Sequence, residues 1–549
     1  MRPCAGRSGS MLAVTSTLSV RARVLARAEP PFERLFDPLA AAWLAGGPLA
    51  EPLGPPWADE KALLARTRKR APLPEPLAAA LHDYHVRLGA SSRSLAALDR
   101  LSAGESTCAI AGQQPAPLGG PLFGVHKVAA TVGLARRAAR RTRIPCEPVF
   151  WNHVEDSDFD EIRWVTLGDP TLALHDLALP AAFHPDGGLV GSYPIEPLRE
   201  LVAAAVPHWG GLPGIDATRA LLDSSLARAR DLGEAHAALL LALFADVGLV
   251  VVDPRLPEFR RASRPVIERY LARAEDLGAA ARQAGARLES ALGRRPLADA
   301  ALDSFVFAID DGRRHKITPA EIDTLRSSIA LSPSVALRPV VQDAVLPTVA
   351  MACGPGELAY LAQLREVFEG LEVVAACPVP RFGATWLPPA AIELLDRTSA
   401  DPWQVVAGTD QVLRQYAESS VPATMRDGLT RIRDELERRL ASFSDDTRTL
   451  DASFPQLVES ARSKIDYQLG RLMEGLVGKV RHRLEREHPG WPKLRYYLLP
   501  GDKLQERRLA SLEPVAYRGP QVVTELCDLA EAHAESLERG EHPHFLLEL

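Results

Sequence analysis

The sequence predicts an α/β fold: a doubly wound parallel sheet with helical insertions and a C-terminal α-helical coiled-coil hairpin. Three observations carry this expectation. Short apolar runs alternate with amphipathic helical stretches, the pattern of parallel strands joined by crossover helices. Two insertions interrupt that alternation. Toward the C-terminus, two long apolar seams recur at three- and four-residue steps. With 549 residues the chain exceeds what one hydrophobic core usually supports, so several domains, or one core with large insertions, are expected.

Residues 1–105 read as a helical N-terminal region, in which Pro-rich breaks separate stretches such as "EPLAAALHDYHVRLGASSRSLAALDRL" with apolar positions at helix period. The opening "MRPCAGRSGS" reads as unstructured and leaves the start open between Met1 and Met11. Residues 106–169 begin the sheet. "STCAIAGQQPAPLGGPLFGVHKVAATVGLARRAARRTRIPCEPVFWN" gives strand, Gly/Pro loop, helix with Pro121 near its first turn, and strand. Residues 170–245 read as a helical insertion. Residues 246–291 continue the core with "DVGLVVVDP" and a long helix, and 292–330 form a small insertion whose "SFVFAIDDGRRHKIT" suggests a hairpin. Residues 331–400 return to the core through "LPTVAMACGPGELAYLAQLREVFEGLEVVAACPVPRF", a strand, turn, helix and strand.

Residues 405–490 carry the hairpin. Leu429, Ile432, Leu436, Leu440 and Phe443 form one seam, and Leu457, Ala461, Ile465, Leu469, Leu472, Leu476 and Leu484 the other, with "SDDTRT" as a polar loop between them. Such a seam serves intramolecular packing or a homodimer equally well. Residues 491–549 are expected to return to the core.

Hydrophobic residues make up 46% and charged residues 24%, and 64 Lys and Arg nearly balance 70 Asp and Glu for a net charge of -6. This is a soluble globular profile without the basic footprint of a nucleic-acid binder. Six cysteines lie scattered without CxxC or zinc spacing and read as reduced thiols of a cytoplasmic protein. No run approaches the roughly 18 apolar residues of a membrane span, and no export signal stands out.

In an open parallel sheet, ligands bind beyond the carboxyl ends of the strands, so the loops there carry the chemistry. The first, "GQQPAPLGGP", offers Gly119 and Gly120 for close backbone approach, a following helix N-terminus for an anion, and the uncharged amides of Gln113 and Gln114. It is not GxGxxG, and no acidic residue about twenty positions on supports a dinucleotide reading. The second, "PVFWNHVEDSDFDE", crowds Glu155, Asp156, Asp158, Asp160 and Glu161 beside His153. Two carboxylates about 6 Å apart at an effective dielectric near 20 repel by roughly 3 kcal/mol, so five cannot all stay ionised in a dry cleft. Some must be solvated or act as caps, and others face a cation. No spacing specifies a metal, and an ammonium group serves equally well. The third loop, "CGPGELAYLAQL", presents Gly354, Gly356, Glu357, Tyr360 and Gln363 after Cys353, which reads as a small apolar filler. "LRPVVQD" adds Arg338, Gln342 and Asp343, the arginine suited to a carboxylate or phosphate.

Together, "AGQQPAPLGGPLFGVHK", "PVFWNHVEDSDFDEI", "GLVVVDP", "LSPSVALRPVVQDAVLPTVAMACGPGELAYLAQLREVF" and "LLPGDKLQERRLASLEPVAYRG" resemble the bacillithiol-biosynthesis cysteine-adding enzymes in order over roughly residues 105–520. The resemblance implies a Rossmann-like core with insertions, a coiled coil used for homodimerisation, and addition of cysteine to glucosaminyl-malate. It places amine recognition and deprotonation on Asp156, Asp158 and Asp160. It makes Lys127, Arg338 and Arg381 partners of the malate carboxylates, and it leaves room for ATP at the Gly-rich loop as the source of acyl activation, with metal use unspecified. Three departures stand out. Where the family pattern has a glycine and a histidine in the acidic loop, this chain has Val154 and Ser157, and where it has a tyrosine in the helix after the Gly-rich loop, this chain has His126. Serine cannot move a proton as an imidazole does, so His153 or His126 is expected to enter that space. The departures keep two further readings open, a diverged ligase with another amine acceptor and an inactive, nucleotide-binding homodimeric scaffold.

Overall fold

A computed structural model describes residues 20–24, 38–317, 321, 330–398, 400, 402–447, 451, 453–487 and 489–549; Met1 and Met11 lie outside them. The chain forms two compact units, one from Met1–Pro388 with Asp502–Leu549 and one from Pro389–Gly501.

In chain order the strands of the first unit are β1 (Val20–Val24), β2 (Thr107–Gln113), β3 (Cys146–Asn152), β4 (Trp164–Gly168), β5 (Leu174–Ala178), β6 (Val250–Val252), β7 (Val306–Asp310), β8 (Arg313–Lys316), β9 (Ala330–Pro333), β10 (Thr348–Cys353), β11 (Cys377–Pro380), β12 (Ala384–Leu387) and β13 (Pro543–Glu548). Five of them make the central sheet in the order β11-β10-β2-β3-β6, every neighbouring pair parallel. Val149, Phe150, Val250, Val251, Val349 and Ala350 are buried in it. Their runs are continuously apolar, without alternation, because helices cover both faces. The chain moves outward from β2 through β3 to β6, then returns to lay β10 on the other side of β2. The strand order therefore reverses between β2 and β10, the position where an open α/β sheet parts its loops into a crevice.

Helix Phe123–Thr142 links β2 to β3 and packs on the C-terminal helix Gln521–Glu538. Their backbones come so close that a Cβ on Gly133 would fall 2.5 Å from the Ala530 carbonyl. The arginines of "ARRAARR" flank this contact, with Arg136 on Asp528 and Arg137 on Glu538, each at 2.8 Å.

The N-terminal region is not helical throughout. β1 pairs antiparallel with β13, which runs parallel to β12 in a second sheet. No local pattern reveals this, because the partner strand lies at the far end of the chain. The insertion read as helical from residue 170 instead opens with β5, which pairs back on β4 in a hairpin across that boundary, before its helices Ile195–Ala205, Ile215–Arg228 and Leu232–Leu243. In the smaller insertion the hairpin is β7–β8. Asp311 and Gly312, at φ 47° and 71°, make its turn, and β9 adds a third strand.

In the second unit, helices Ala423–Thr447 and Phe454–Glu487 form the hairpin. Arg433 pairs with Asp466 at 3.0 Å and Arg462 with Glu437 at 3.1 Å, a register that fixes them as antiparallel. The first helix continues through Ser444–Thr447, residues read from sequence as loop. Helix Gly490–Leu498 also belongs to this unit, so the chain re-enters the first unit at Asp502 rather than at residue 491. Leu457 and Leu472 remain more than half exposed on the seam. No helix among the described residues is long and apolar enough to cross a membrane.

Candidate functional site

At the reversal point, a cleft of about 420 Å³ opens between the carboxyl ends of β2 and β10. β2 delivers Gly112, Gln113 and Gln114, β3 delivers His153 and Asp156, and β10 delivers Gly354–Glu357. Two helices complete it, Phe123–Thr142 with Lys127 and Arg338–Val345 with Arg338.

One wall is cationic. The buried Lys127 Nζ donates to Gly112 O at 2.9 Å and to Gln113 Oε1 at 3.0 Å, and it pairs with Glu357 Oε2 at 2.7 Å. Burial pulls its ammonium pKa down, against the upward pull of Glu357. Arg338 donates to the Tyr360 hydroxyl at 2.9 Å and to Gln342 Oε1 at 3.2 Å, with Glu357 Oε1 at 3.8 Å. Its Nη1 would lie 3.1 Å from a Cβ on Gly112, so the glycine leaves room at the strand end for the guanidinium. Glu357 also accepts from Gly354 N at 2.7 Å, a capping interaction that positions it at the start of helix Pro355–Gln363. Arg381 and the exposed Arg507 extend this wall.

The facing wall is acidic. Gln114 Nε2 donates at 2.8 Å to both Asp156 Oδ2 and Glu161 Oε2, joining the two carboxylates across the loop. Asp156 further accepts from Ser157 N at 2.7 Å and lies 3.5 Å from Arg314 Nη1 and 3.9 Å from His153 Nδ1. Burial alone would raise the Asp156 pKa, but His153, Arg314 and these hydrogen bonds hold it below the usual range. Burial lowers the His153 pKa, against the upward pull of Asp156.

Thus, of the sequence-derived candidates, Gln113, Gln114, Lys127, His153, Asp156, Arg338, Gly354, Gly356, Glu357, Tyr360 and Arg381 come together. Others do not line the cleft. Asp158 caps the short helix Phe159–Ile162 by accepting from Glu161 N at 3.1 Å, and Asp160 is a surface partner of Arg163 at 3.4 Å. Glu155 is buried on Arg260 at 2.6 Å. The Ser157 side chain is not among the lining groups. Gln342 is spent on Arg338 and Asp343. Gln363 points the other way, donating to Ala281 O at 3.0 Å and accepting from Leu297 N at 2.9 Å. Gly119 and Gly120 do adopt positive φ, but their turn is bound to the C-terminal segment, with Ser511 N on Gly120 O at 2.8 Å and Ser511 Oγ on Gly119 O at 3.1 Å. Cys353 is buried with its thiol pKa pushed well above the ordinary value by burial and then by Glu357, which fits a packing role. His126 is wholly enclosed, held between Trp386 Nε1 at 3.2 Å and Glu506 Oε2 at 2.9 Å.

Sequence reasoning missed Arg314, Glu506 and Arg507. Arg314 arrives on β8 of the small insertion and Glu506 on the returning C-terminal segment, where Glu506 clamps Arg381. The charge-dense "DKLQERR" in a segment otherwise rich in Leu and Pro is the one signal that marks the second.

Comparison with known proteins agrees with this architecture. The family model for the bacillithiol biosynthesis BshC N-terminal Rossmann-like domain matches residues 57–329 and 323–382, and that for the BshC C-terminal coiled-coil domain matches 384–537. A relative from Koribacter versatilis (strain Ellin345), named "Putative cysteine ligase BshC", is 30% identical over 475 residues, covering 83% of this chain and 87% of its own length. Relatives of the same name from Symbiobacterium thermophilum and Geobacillus kaustophilus are 28% and 26% identical, covering 82% and 79% of this chain and 87% and 84% of their own lengths.

Proposed function

This chain belongs to the bacillithiol-biosynthesis BshC family, and from that premise we propose that its cleft joins the carboxyl of cysteine to the amine of glucosaminyl-malate, the amide-forming last step of bacillithiol synthesis. The observation that carries this reading is the division of one cleft into a cationic wall and an acidic wall. Glucosaminyl-malate has matching poles, two carboxylates at one end and a sugar ammonium at the other. Arg338, Lys127 and Arg507 receive the carboxylates, and Asp156 with Glu161 receives the ammonium. Arg381 contributes less charge, because Glu506 already compensates it. The amine attacks only after losing its proton, and Glu161, exposed and tied to Gln114, provides an acceptor in contact with solvent.

Amide formation in water is uphill, so the acyl group must be activated, and ATP is the proposed co-substrate for that. The Gly119–Gly120 turn does not suit its phosphates, because the Gly120 N–H already donates to Pro117 O at 2.9 Å and Ser511 packs on the turn through the Gly119 and Gly120 carbonyls. The start of helix Pro355–Gln363 suits an anion better. A Cβ on Gly356 would meet nothing within 4 Å, and Lys127 and Arg338 stand beside it. The polar complement of the cleft favours catalysis over an inactive scaffold, since a group of ionisable side chains this deep is costly to retain without a ligand. Purified protein incubated with glucosaminyl-malate, cysteine and ATP, followed by thiol tagging and mass spectrometry, tests the proposal. Bacillithiol formation supports it; consumption of cysteine with a different amine acceptor supports the diverged ligase; binding without turnover refutes both.

A further inference from the structure

Behind the cationic wall lies a second cavity, of about 470 Å³, whose apolar lining includes Leu53, Met351, Leu361, Phe368 and Pro378. We propose that it is a binding site for a small amphipathic anion, an alkyl or aryl carboxylate of roughly six to eight carbons, with the head group on Arg66 and the tail on the apolar lining.

Arg66 carries the assignment. It ends helix Glu60–Arg66, lines the cavity and is only 8% exposed. Its Nε donates to Ala375 O at 3.2 Å, but among the described residues its two terminal nitrogens have no hydrogen-bond partner and no carboxylate within ion-pair distance. A guanidinium this enclosed, with its terminal nitrogens left to the cavity and without a protein acceptor, is a fitting partner for an anion. The other charged groups of the cavity are committed elsewhere. Asp343 accepts from Ala376 N at 2.6 Å and from Gln342 Nε2 at 3.1 Å, Arg365 pairs with Glu369 at 2.8 Å and donates to Glu51 O at 2.8 Å, and Glu372 is exposed at the rim. One unmatched buried cation, in a cavity whose other charged groups are paired or at the rim and whose remaining lining is largely apolar, defines the ligand class: a single negative charge on a hydrocarbon body.

The site shares its walls with the cleft. Helix Arg338–Val345 places Arg338 in the cleft and Pro339 on the cavity, and helix Pro355–Gln363 places Glu357 and Tyr360 in the cleft and Leu361 on the cavity. A bound carboxylate would lean on the two helices that set the cationic wall.

Isothermal titration of the full chain with hexanoate, heptanoate and octanoate tests the proposal independently of any catalytic activity. One saturable site is expected, with affinity rising up to about fourfold per methylene. Arg66→Met should weaken octanoate by about tenfold or more, and Leu361→Trp, which fills the cavity, should abolish binding, with circular dichroism melts confirming that both variants fold. Malate present at saturation should leave the octanoate isotherm in place, separating this site from the cleft. Absence of saturable octanoate binding, unchanged affinity in both variants, or equal binding of octanol and octanoate would overturn the assignment.

Discussion

Glu506→Gln tests whether the cleft is organised by the C-terminal segment that sequence reasoning overlooked. The Glu506 side chain is 3% exposed and serves three donors: Arg381 Nη1 at 3.0 Å, Arg381 Nη2, and His126 Nδ1 at 2.9 Å. The indole N–H of Trp386 can only donate, so His126 Nε2 accepts and its ring proton sits on Nδ1, aimed at Glu506. A glutamine oxygen at the Oε2 position would keep His126 and Arg381 Nη1, but its NH2 would then face Arg381 Nη2, donor against donor. Removing one partner of a buried pair costs about 3–5 kcal/mol, and the retained neutral hydrogen bonds return about 1, so a net loss of about 2–4 kcal/mol is expected. Urea denaturation followed by near-ultraviolet circular dichroism measures it. Adding Arg381→Met removes the orphaned charge and should restore part of the loss, a coupling read from the double-mutant cycle. The pH dependence supplies a second check. Burial would raise the Glu506 carboxyl, but Arg381 and His126 outweigh it and hold the pKa well below 4.5. A carboxylate depressed in the folded state contributes stability that is full above its unfolded value and lost as pH falls through its folded one. The gap between wild type and variant should thus be constant from about pH 7 to 5 and narrow below about pH 4.5. A loss under about 1 kcal/mol, or no recovery in the double variant, would refute the clamp.

Asp156→Asn should raise the KM for glucosaminyl-malate by about tenfold or more, while Asp160→Asn leaves steady-state kinetics within about twofold; equal effects would contradict the division between cleft-facing and surface carboxylates. Gly133→Ala should destabilise by about 1–3 kcal/mol in thermal or urea melts, because the new methyl meets the Ala530 backbone at 2.5 Å rather than a movable side chain. Cys353→Ala should keep kcat/KM within about twofold, and abolished turnover in a folded variant would make the thiol more than filler. Leu472→Glu, on a seam position 54% exposed, should halve the mass seen by light scattering if the coiled coil joins two copies; an unchanged mass would remove that role.

The core was legible because its signals are local. "DVGLVVVDP" and "TVAMAC" are apolar on both faces, which only a doubly covered parallel strand permits, and both became central strands. The cleft was legible as far as it is built from residues directly after strands, which is how Gln113, Gln114, Asp156 and Glu357 were found. What escaped depends on contacts between distant segments. β1 has no meaning until β13 is beside it, Arg314 reaches Asp156 only because a hairpin in the small insertion folds back, and Glu506 lies 125 residues from the arginine it clamps. The acidic loop shows the limit most clearly. Five carboxylates look alike in sequence, yet an arginine, a helix end, a surface pair and one glutamine divide them among four different tasks.

The two departures within that loop have different physical weights. Val154 is fully buried where the family pattern has glycine, and the space for its side chain comes from two glycines on neighbouring segments: a Cβ on Gly191 would lie 2.3 Å from Val154 Cβ, and one on Gly233 2.7 Å from Val154 Cγ1. The valine is thus accommodated by packing, and the backbone that follows still presents Asp156 to Gln114. At position 157 the backbone N–H performs the visible task, donating to Asp156 Oδ1, and any residue except proline can do so. What serine forfeits is an imidazole at that point in the loop, and His153, four residues earlier and 3.9 Å from Asp156, is the one histidine lining the cleft among the described residues. If proton transfer in this chain runs through an imidazole, His153→Gln should lower kcat while KM for the acceptor changes little. If Glu161 alone accepts the proton, the same substitution should leave kcat nearly intact and Glu161→Gln should lower it instead, so the pair of variants separates the two routes by which the loop can compensate for its missing histidine.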